Sequence, residues 1–424
     1  MTPRPPRGGA ERPVVNGNYR LNVRRQAVQN LIGILRAIIS SRGIRIREYF
    51  IAGWLIGLSV STGVVSAATP AVRGAPLFLT GSDVSYFGYI DSHGGTYRYE
   101  HKPLGLLQAF KLAGCNTLRL RLFHRPTPGE VKKFGKLNTL NDLAYSLPLA
   151  EKIVRAGFYF VLDMHFSDTW ADPGHQLTPA AWRKLPFPEL KARLRAYCFR
   201  VIHAFKRHDA MPKMVLVGNE INNGILWPRG RLWVDHRARW SRLAALLNAA
   251  IAGINSAAGS RKPLLMIQVA GFNYAPTFYR QLLRHGVHFN VVGFDYYPYW
   301  QGPLKNLRTN LYAVARAVHK PIVVAETAYP WIGGDHNVGW SRKPDMPFPF
   351  SPQGQSRYIR SVIRIVKSIP GGRGMGVWYW GGEYNATCPA FRRKPWAYRS
   401  LFDATGNALP AMRVLGQAAR GALK

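Results

Sequence analysis

Residues 214–221, MVLVGNEI, place an asparagine and a glutamate directly after a short apolar run. The run is too short for a helix, and its valines favour an extended strand. A second stretch, PIVVAETAY at 321–329, likewise puts Glu326 directly after an apolar, β-branched run. Both stretches therefore predict a buried strand that ends in a carboxylate.

Short apolar runs of this kind recur along the chain and alternate with longer stretches that have helical spacing. The predicted strands lie at 77–85, 117–123, 159–166, 214–221, 264–270, 290–297, 321–329 and 374–380. The predicted amphipathic helices lie at 142–156, 190–208, 242–257, 304–318, 358–368 and 409–422. Eight strands that alternate with helices predict an α/β protein, a (β/α)8 TIM barrel, in a single domain at 69–424.

The first 68 residues differ in character from this barrel sequence. Residues 1–48 form a basic N-terminal extension with ten arginines against Glu11 and Glu48. Residues 49–68, YFIAGWLIGLSVSTGVVSAA, are uncharged and end in small residues of the kind that signal peptidases accept. We therefore expect a cleaved signal peptide and a secreted protein, extracellular or periplasmic. The alternative is an uncleaved signal anchor, because about 17 to 20 apolar residues can span a bilayer.

The net charge of the chain is +37, from 58 basic and 21 acidic residues. The N-terminal extension accounts for +8, so +29 is spread over the rest of the chain. Such diffuse charge favours polyanionic surroundings. The sequence has neither a basic helix nor an aromatic RNA-binding motif, so we do not expect nucleic-acid binding. The three cysteines, Cys115, Cys198 and Cys388, allow at most one disulfide and lack the spacing of a zinc site.

Acidic residues are scarce, and many of them fall where predicted strands end. They are Asp83, Asp163, Asp168, Asp172, Glu220, Asp295, Glu326 and Glu383. A barrel of this type carries its chemistry at the C-terminal ends of the strands and in the loops that follow them. The clustering of scarce carboxylates there predicts a functional site. Helix capping is the alternative role, and it suits Asp142 and Asp83 better than the glutamates.

Glu220 and Glu326 are the strongest candidates because an apolar run leads directly into each of them. Burying an unpaired carboxylate costs free energy, so a carboxylate at the end of a buried strand indicates a functional role. Two opposed carboxylates at barrel strand ends are typical of glycoside hydrolases, in which one acts as general acid/base and the other as nucleophile. The alternative is that both glutamates form structural ion pairs, with Arg119 and Arg121 as partners.

Further segments extend this interpretation along the chain. They are GSDVS (81–85), NTLRLRLF (116–123), LDMHFSDTWADPGHQ (162–176), GNEINNGILWP (218–228), DYYPYW (295–300), VVAETAYPW (323–331), SPQGQ (351–355) and SLFDATGNALP (400–410). Together and in this order they closely resemble glycoside hydrolase family 53, from about residue 77 to residue 410. The resemblance implies a retaining endo-β-1,4-galactanase, a barrel enzyme with catalytic glutamates on strands four and seven.

The resemblance also implies a role for each matching residue. Glu220 corresponds to the acid/base, Glu326 to the nucleophile, and Asn219 to the residue that hydrogen-bonds the sugar 2-hydroxyl. Arg119 would keep the nucleophile ionised, and Tyr297 would touch it. The remaining substrate-binding or supporting positions are Arg121 on the same strand face, Asp168 in the strand-three segment, His165 and Trp380 at the sugar site, and Trp170, Trp227, Trp300 and Trp331 as stacking platforms.

Three features depart from the family pattern. Gly381 and Gly382 separate the strand-eight tryptophan from Glu383, where the family usually continues with Glu-Pro. Asp295 stands where serine is common. The stretch after Trp331 is basic and lacks an acidic loop for the calcium that some relatives bind. We therefore expect neither a metal nor another cofactor.

The sequence thus predicts a secreted, monomeric endo-β-1,4-galactanase, with its catalytic domain at 69–424, that hydrolyses galactan in type I arabinogalactan or pectin. The basic surface would favour anionic pectin as the setting of the substrate. One alternative is a related barrel glycosidase that acts on another β-linked polysaccharide, as the altered strand-eight region suggests. A carbohydrate-binding barrel without turnover is the other. Membrane association is expected only if the signal segment stays uncleaved.

Overall fold

The computed structural model describes residues 78–128, 139–333, 346–392 and 394–423. The predicted N-terminal extension and signal segment lie outside these residues. The strands are β1 (Leu79–Asp83), β2 (Tyr97–Tyr99), β3 (Lys102–Leu104), β4 (Thr117–Leu122), β5 (Tyr159–Met164), β6 (Met214–Val217), β7 (Trp233–Val234), β8 (Arg237–Ala238), β9 (Leu264–Ala270), β10 (Val291–Asp295), β11 (Ile322–Glu326) and β12 (Gly374–Tyr379). The helices are α1 (Phe87–Ser92), α2 (Leu106–Ala113), α3 (Leu143–Arg155), α4 (Phe187–Arg207), α5 (Trp240–Ala258), α6 (Ala275–Arg284), α7 (Pro298–Gln301), α8 (Leu304–Val318), α9 (Pro352–Lys367) and α10 (Pro410–Ala419).

Eight of these strands form one closed barrel in which neighbouring strands run parallel. Their order is β1, β4, β5, β6, β9, β10, β11 and β12, and β12 pairs again with β1. The predicted (β/α)8 barrel and all eight predicted strands are confirmed, with β9 at the predicted bounds. The other strands are shorter than predicted, because apolar residues such as Phe123 and Phe166 continue past the point where strand pairing stops.

Helices cover the outside of the barrel. The predicted bounds of α8 are confirmed, whereas α9 begins earlier than predicted. It does so because Ser351 caps it, accepting a hydrogen bond from the N–H of Gly354 at 3.0 Å. The sequence analysis missed α1, α2, α6 and α7, which are six, eight, ten and four residues long. Apolar periodicity identifies such short helices poorly.

A packed core fills the barrel below its C-terminal mouth. Inward-facing apolar side chains from different strands meet there, among them Leu79, Val161, Leu216, Met266, Val323 and Trp378. A larger apolar cluster lies between the strands and the surrounding helices. The barrel is therefore solid below the mouth, as is usual for this fold, and polar side chains gather above that core.

The first turn of α3 and the cysteines agree with the sequence analysis. Asp142 caps α3, since its carboxylate accepts a hydrogen bond from the N–H of Tyr145 at 2.9 Å. Cys115, Cys198 and Cys388 are all buried and free of disulfides. Within the residues described above, no helix is long and apolar enough to cross a membrane.

Candidate active site

The two candidate glutamates lie together at the C-terminal mouth of the barrel. Glu326 is the last residue of β11, as predicted, and is buried. The prediction that Glu220 ends its strand is wrong, because β6 stops at Val217 and Gly218 turns the chain with φ +92°. Glu220 follows in the loop with φ +46°, a conformation that residues other than glycine rarely adopt and that concentrates at functional sites. Carboxylate oxygens of Glu220, Glu326 and Asp295 all lie within 4.8 Å of one another.

Both oxygens of Glu326 accept hydrogen bonds from side chains of neighbouring strands and loops. Arg119 on β4 donates through Nη2 to Oε1 at 2.7 Å, and Tyr297, just after β10, donates its hydroxyl to Oε2 at 2.8 Å. Gln268 on β9 adds a longer bond to Oε1, at 3.3 Å. A guanidinium and a hydroxyl aimed at the two oxygens stabilise negative charge on this carboxylate. The expected contacts of Arg119 and Tyr297 with Glu326 are present.

Glu220 has a different electrostatic environment. Burial raises the pKa of its carboxyl group well above the usual range, and the negative charges of Glu326 and Asp172 raise the pKa further. Arg119 opposes this rise without cancelling it. Glu220 is thus set to keep its proton, whereas Glu326 accepts hydrogen bonds from a guanidinium and a phenol hydroxyl. Two carboxyl groups in such different environments can act as acid and nucleophile.

Arg119 and Arg121 lie on the same face of β4, because side chains alternate along a strand. Their partners differ. Arg119 pairs with Glu326, and its Nε also donates to Asp83 at 3.0 Å. Arg121 donates to Asp83 through Nη1 at 3.1 Å. Of the alternative ion pairs between the two glutamates and the two arginines, only the pair of Arg119 with Glu326 occurs among the described residues.

Asp83 holds both guanidinium groups in place. Burial alone would raise the pKa of its carboxyl group, but the charges of Arg121 and Arg119 outweigh burial and lower it. Asp83 is therefore ionised. Its interpretation as a helix cap is wrong: Tyr86 is the N-cap residue of α1, and no side chain makes a capping hydrogen bond there. Asp83 Oδ1 does accept a hydrogen bond from the N–H of Ser85 at 3.1 Å, but Ser85 lies before α1 begins.

Asn219 and His165 are buried beside the two glutamates and Arg119. Asn219 donates through Nδ2 to the carbonyl oxygen of Ala171 at 2.7 Å, and its Oδ1 has no partner among the described residues. His165 lies with Nε2 3.4 Å from Asp163, whose carboxylate is 3.5 Å from Nη1 of Arg119. Asn219 thus has an amide oxygen available for a substrate hydroxyl, and His165 is tied into the arginine network.

Asp168 supports the loop that follows β5. Its Oδ1 lies 2.7 Å from Nδ1 of His124 and accepts a hydrogen bond from the N–H of Arg125 at 2.9 Å. Its Oδ2 accepts from the N–H of Ala180 at 2.8 Å. Because the protein engages both oxygens, Asp168 is placed as an anchor for the loop that carries Trp170.

Trp170 and Trp380 stand next to each other above Arg121. Their ring centroids are 6.0 Å apart, and the Arg121 guanidinium lies 4.4 Å from the Trp170 centroid and 5.6 Å from that of Trp380. Trp170 is half-buried and Trp380 is buried. The structure therefore brings these two predicted residues together as one aromatic wall.

The other three predicted tryptophans differ in exposure. Trp300 is 56% exposed and packs edge-on against Tyr297, with ring centroids 5.0 Å apart. Trp331 is buried, and its indole N–H donates to the carbonyl oxygen of Ala397 at 3.0 Å. Trp227 is half-buried, and its indole N–H donates to the carbonyl oxygen of Asn223 at 2.9 Å. Trp300 presents the most open ring of the three.

Gln268 was not predicted as a site residue, and Asp295 was predicted only as one of the scarce acids at strand ends and as a departure from the family pattern. Both are fully buried. Gln268 donates through Nε2 to Asp295 at 2.7 Å as well as to Glu326. Burial and the charges of Glu326 and Glu220 raise the pKa of Asp295 well above its usual range. The signal that could have identified Gln268 is its position as the one polar residue of LLMIQVA (264–270).

The three clustered carboxyl groups have the spacing of a possible cation site. However, Arg119 and Tyr297 already donate to both oxygens of Glu326. A cation would have to compete with a guanidinium for the same carboxylate. The donor set therefore fits a site for a polar organic substrate better than a metal site.

Opposed carboxyl groups on the seventh strand and in the loop after the fourth strand of a (β/α)8 barrel, one with a raised pKa and the other hydrogen-bonded to a guanidinium, define a barrel glycoside hydrolase. The comparison with known families agrees with this class. The family model of glycosyl hydrolase family 53 matches residues 79–415. The chain belongs to this family.

Individual relatives cover most of the barrel. An arabinogalactan endo-β-1,4-galactanase of Cellvibrio japonicus is 33% identical over 348 residues, which are 79% of this chain and 89% of the relative. The solved catalytic domain from Ignisphaera aggregans, of the same family, is 32% identical with a TM-score of 0.73, covering 81% of this chain and 97% of that one. A fungal β-1,4-galactanase structure is 28% identical with a TM-score of 0.67, covering 80% and 98%.

Proposed function

We propose that this chain is a retaining endo-β-1,4-galactanase that cleaves galactan in type I arabinogalactan or pectin, as a monomer. The observation that carries this proposal is the spacing of Glu220 and Glu326, whose carboxylate oxygens lie within 4.8 Å. Retaining glycosidases separate their two carboxyl groups by about 5 to 5.5 Å, whereas inverting enzymes need roughly 6.5 to 9.5 Å to admit a water molecule. The galactanase named above from Cellvibrio japonicus supports the substrate.

The reaction would proceed in two displacements. Glu326 attacks the anomeric carbon, while Glu220 donates its proton to the glycosidic oxygen as that bond breaks. Glu220, now ionised, then takes a proton from water, which attacks the anomeric carbon and releases Glu326. Arg119 and Tyr297 hold Glu326 for the attack. These steps use side chains alone and need no cofactor.

Substrate binding would use the polar and aromatic groups around this pair. Asn219 has a buried amide oxygen without a partner among the described residues, which suits a hydrogen bond from the sugar 2-hydroxyl. Trp170 and Trp380 form an aromatic wall above Arg121, and Trp300 exposes its ring beside Tyr297. Sugar rings pack well on such apolar faces, so these tryptophans would line the subsites.

The test is hydrolysis of a panel of polysaccharides by the purified protein, with the product anomer followed by NMR. We expect reducing ends from β-1,4-galactan, little from arabinan, xylan or mannan, and β-configured sugar as the first product. A preference for another β-linked polysaccharide would favour the related barrel glycosidase, and binding without turnover would favour the carbohydrate-binding barrel. Release of the inverted sugar would contradict the mechanism.

We also propose that the protein is exported and works on galactan attached to anionic pectin. The uncharged segment at 49–68 supports export, and the +29 charge of the remaining chain supports attraction to uronate-rich material. A mature N-terminus near Ala68 or Thr69 is expected in the exported protein. Full-length protein recovered from the cytoplasm would contradict export. Binding to pectin should fall steeply with salt, whereas activity on debranched galactan should change much less.

A further inference from the structure

Asp295 adds a third carboxyl group to the proposed catalytic pair. It ends β10 directly opposite Glu326 on β11, and the register of the two strands shifts between Phe294 and Asp295. This irregularity sets the two carboxyl-bearing residues side by side at the mouth. Asp295 is fully buried, and one of its oxygens is within 4.8 Å of oxygens of both Glu220 and Glu326.

Gln268 connects Asp295 to the nucleophile. Its Nε2 donates to Oδ2 of Asp295 at 2.7 Å and to Oε1 of Glu326 at 3.3 Å. β10, the strand between β9 and β11, leaves room for the Gln268 side chain because residue 293 is glycine. A Cβ atom at Gly293 would lie 3.0 Å from the Cβ of Gln268 and 2.7 Å from the sulfur of Met266. The packing therefore fixes Gln268 between the two acids.

The groups that face Asp295 leave little compensation for a negative charge. Glu326 on β11 and Glu220 in the loop after β6 are acidic, and the phenols Tyr279 on α6 and Tyr297 lie near it. Arg119 on β4 is the cation that acts on it, but it is already paired with Glu326 and Asp83.

The second oxygen of Asp295 is also unsupported. Oδ1 is buried and has no hydrogen-bond partner among the described residues. An ionised oxygen buried without a donor is costly, and a proton on that oxygen removes most of the cost. Among the described residues, Gln268 is the side-chain donor to the other oxygen, and it approaches that oxygen as it would approach the carbonyl oxygen of a neutral acid.

We propose that Asp295 works as an uncharged carboxylic acid, a positioning residue that holds Gln268 against Glu326 and whose ionisation ends activity on the alkaline side. The proposal rests on the function proposed above, because it takes Glu326 as the nucleophile. When Asp295 loses its proton, three negative groups share one cation, and the orientation of Glu326 is lost. Asp295 and Glu220 are coupled, so the alkaline limb of the pH profile would reflect both groups.

The substitution Asp295→Asn imitates the neutral acid with the same shape, and Asp295→Ala removes the partner of Gln268. We expect the asparagine variant to keep kcat within about threefold and the alanine variant to lose roughly tenfold or more in kcat with little change in KM, as for a loss of orientation. The alkaline limb of the asparagine variant should extend to higher pH and fall with one proton instead of two. Equal pH profiles of wild type and asparagine variant, or equal losses in both variants, would overturn the proposal.

Thermal unfolding tests the same idea without substrate, so it separates this proposal from the proposed function. The folded-state pKa of Asp295 is raised, so the stability that its neutral form provides is complete below the unfolded pKa and is lost as pH rises through the folded pKa. The Asp295→Asn variant should therefore match wild type at acidic pH and gain Tm over wild type as pH rises. A pH-independent difference in Tm, or a loss at neutral pH, would overturn the proposal.

The matched control is Asp83→Asn, because Asp83 is equally buried but has a lowered pKa. Its charge stabilises the fold above the unfolded pKa, and this contribution is lost as pH falls. This control should lose Tm at neutral pH and recover relative to wild type in acid, opposite in sign to Asp295→Asn. The same sign in both variants would mean that burial alone sets the response and would contradict the proposal. If the control does not fold at neutral pH, the Tm of Asp295→Asn against that of wild type across pH still decides the proposal.

Discussion

The mouth of the barrel has two sides that contain the same residue types in opposite electrostatic states. On the side of β1 and β4, Asp83 lies between Arg119 and Arg121, and its pKa is lowered despite complete burial. On the side of β10 and β11, Asp295 is equally buried beside Glu326, and its pKa is raised. The position of the guanidinium groups, and not burial, decides which aspartate is charged.

Arg119 belongs to both sides. It pairs with Asp83 through Nε, lies 3.5 Å from Asp163 through Nη1, and binds Glu326 through Nη2. The arginine side thus fixes the guanidinium of Arg119, which is paired with the proposed nucleophile. On the carboxylate side and in the neighbouring loop after β6, the raised pKa values of Asp295 and Glu220 favour the protonated acids, and Glu220 would supply the proton for the leaving group in the proposed mechanism. We infer that the side of β1 and β4 holds the site rigid and that the side of β10 and β11 carries the reacting carboxylate.

The largest expected effects come from one substitution on each side. Glu326→Gln should lower kcat by roughly 10⁴-fold or more, because no nucleophile remains, while the free energy of unfolding falls less than in Asp83→Asn, because Arg119 keeps Asp83 as a partner. Asp83→Asn should instead lower the free energy of unfolding by about 3–5 kcal/mol, because two buried arginines lose their shared partner. Steady-state kinetics and urea unfolding of both variants provide the measurement. If Asp83→Asn left stability intact while Glu326→Gln unfolded the protein, the two sides would have been assigned the wrong way round.

A smaller effect separates the two arginines. Arg119→Met should lower both kcat and stability, because Glu326 and Asp83 lose a donor together. Arg121→Met should lower stability but spare more of kcat, because Arg121 pairs with Asp83 and packs on Trp170. The ratio of kcat between the two variants is the informative quantity. Equal losses of kcat would show that Arg119 has no particular role toward the nucleophile.

The smallest expected effect concerns the aromatic rings on the two sides. Trp300→Ala should raise KM severalfold and leave Tm near that of wild type, since its ring is 56% exposed. Trp170→Ala should also lower Tm, because its ring covers the Arg121 guanidinium at 4.4 Å and such contacts are worth up to about 2 kcal/mol when desolvated. Galactan kinetics and thermal melting compare the two. A loss of Tm in Trp300→Ala without one in Trp170→Ala would contradict the assignment of Trp300 as an exposed stacking platform.

The barrel could be predicted from the sequence because each strand is a separate apolar run with its own boundaries. Glu326 was predicted at a strand end and lies there, since β11 stays paired up to this residue. Glu220 was placed on its strand for the same reason, but the glycine at 218 ends β6 before it. A strand-like composition does not show where hydrogen bonding between strands stops.

The electrostatic roles at the mouth could not be predicted in the same way. Arg121 and Asp83 are 38 residues apart in sequence, and only the pairing of β1 with β4 shows that Asp83 binds both arginines. Gln268 appears in the sequence as one polar residue inside an apolar strand, with no indication that it bridges two acids. Charge states depend on such three-dimensional neighbours, so they became visible only in the folded chain.

The central claim, that Glu326 is the nucleophile and Glu220 the acid/base, is tested most directly by azide rescue of two alanine variants on an aryl β-galactoside substrate. Without the nucleophile, azide should attack the anomeric carbon directly, so Glu326→Ala should give a glycosyl azide of inverted configuration. Without the acid/base, the glycosyl-enzyme still forms from the activated substrate, so Glu220→Ala should give the glycosyl azide of retained configuration. NMR of the products distinguishes the two anomers. The same anomer from both variants, or the opposite assignment, would contradict the account.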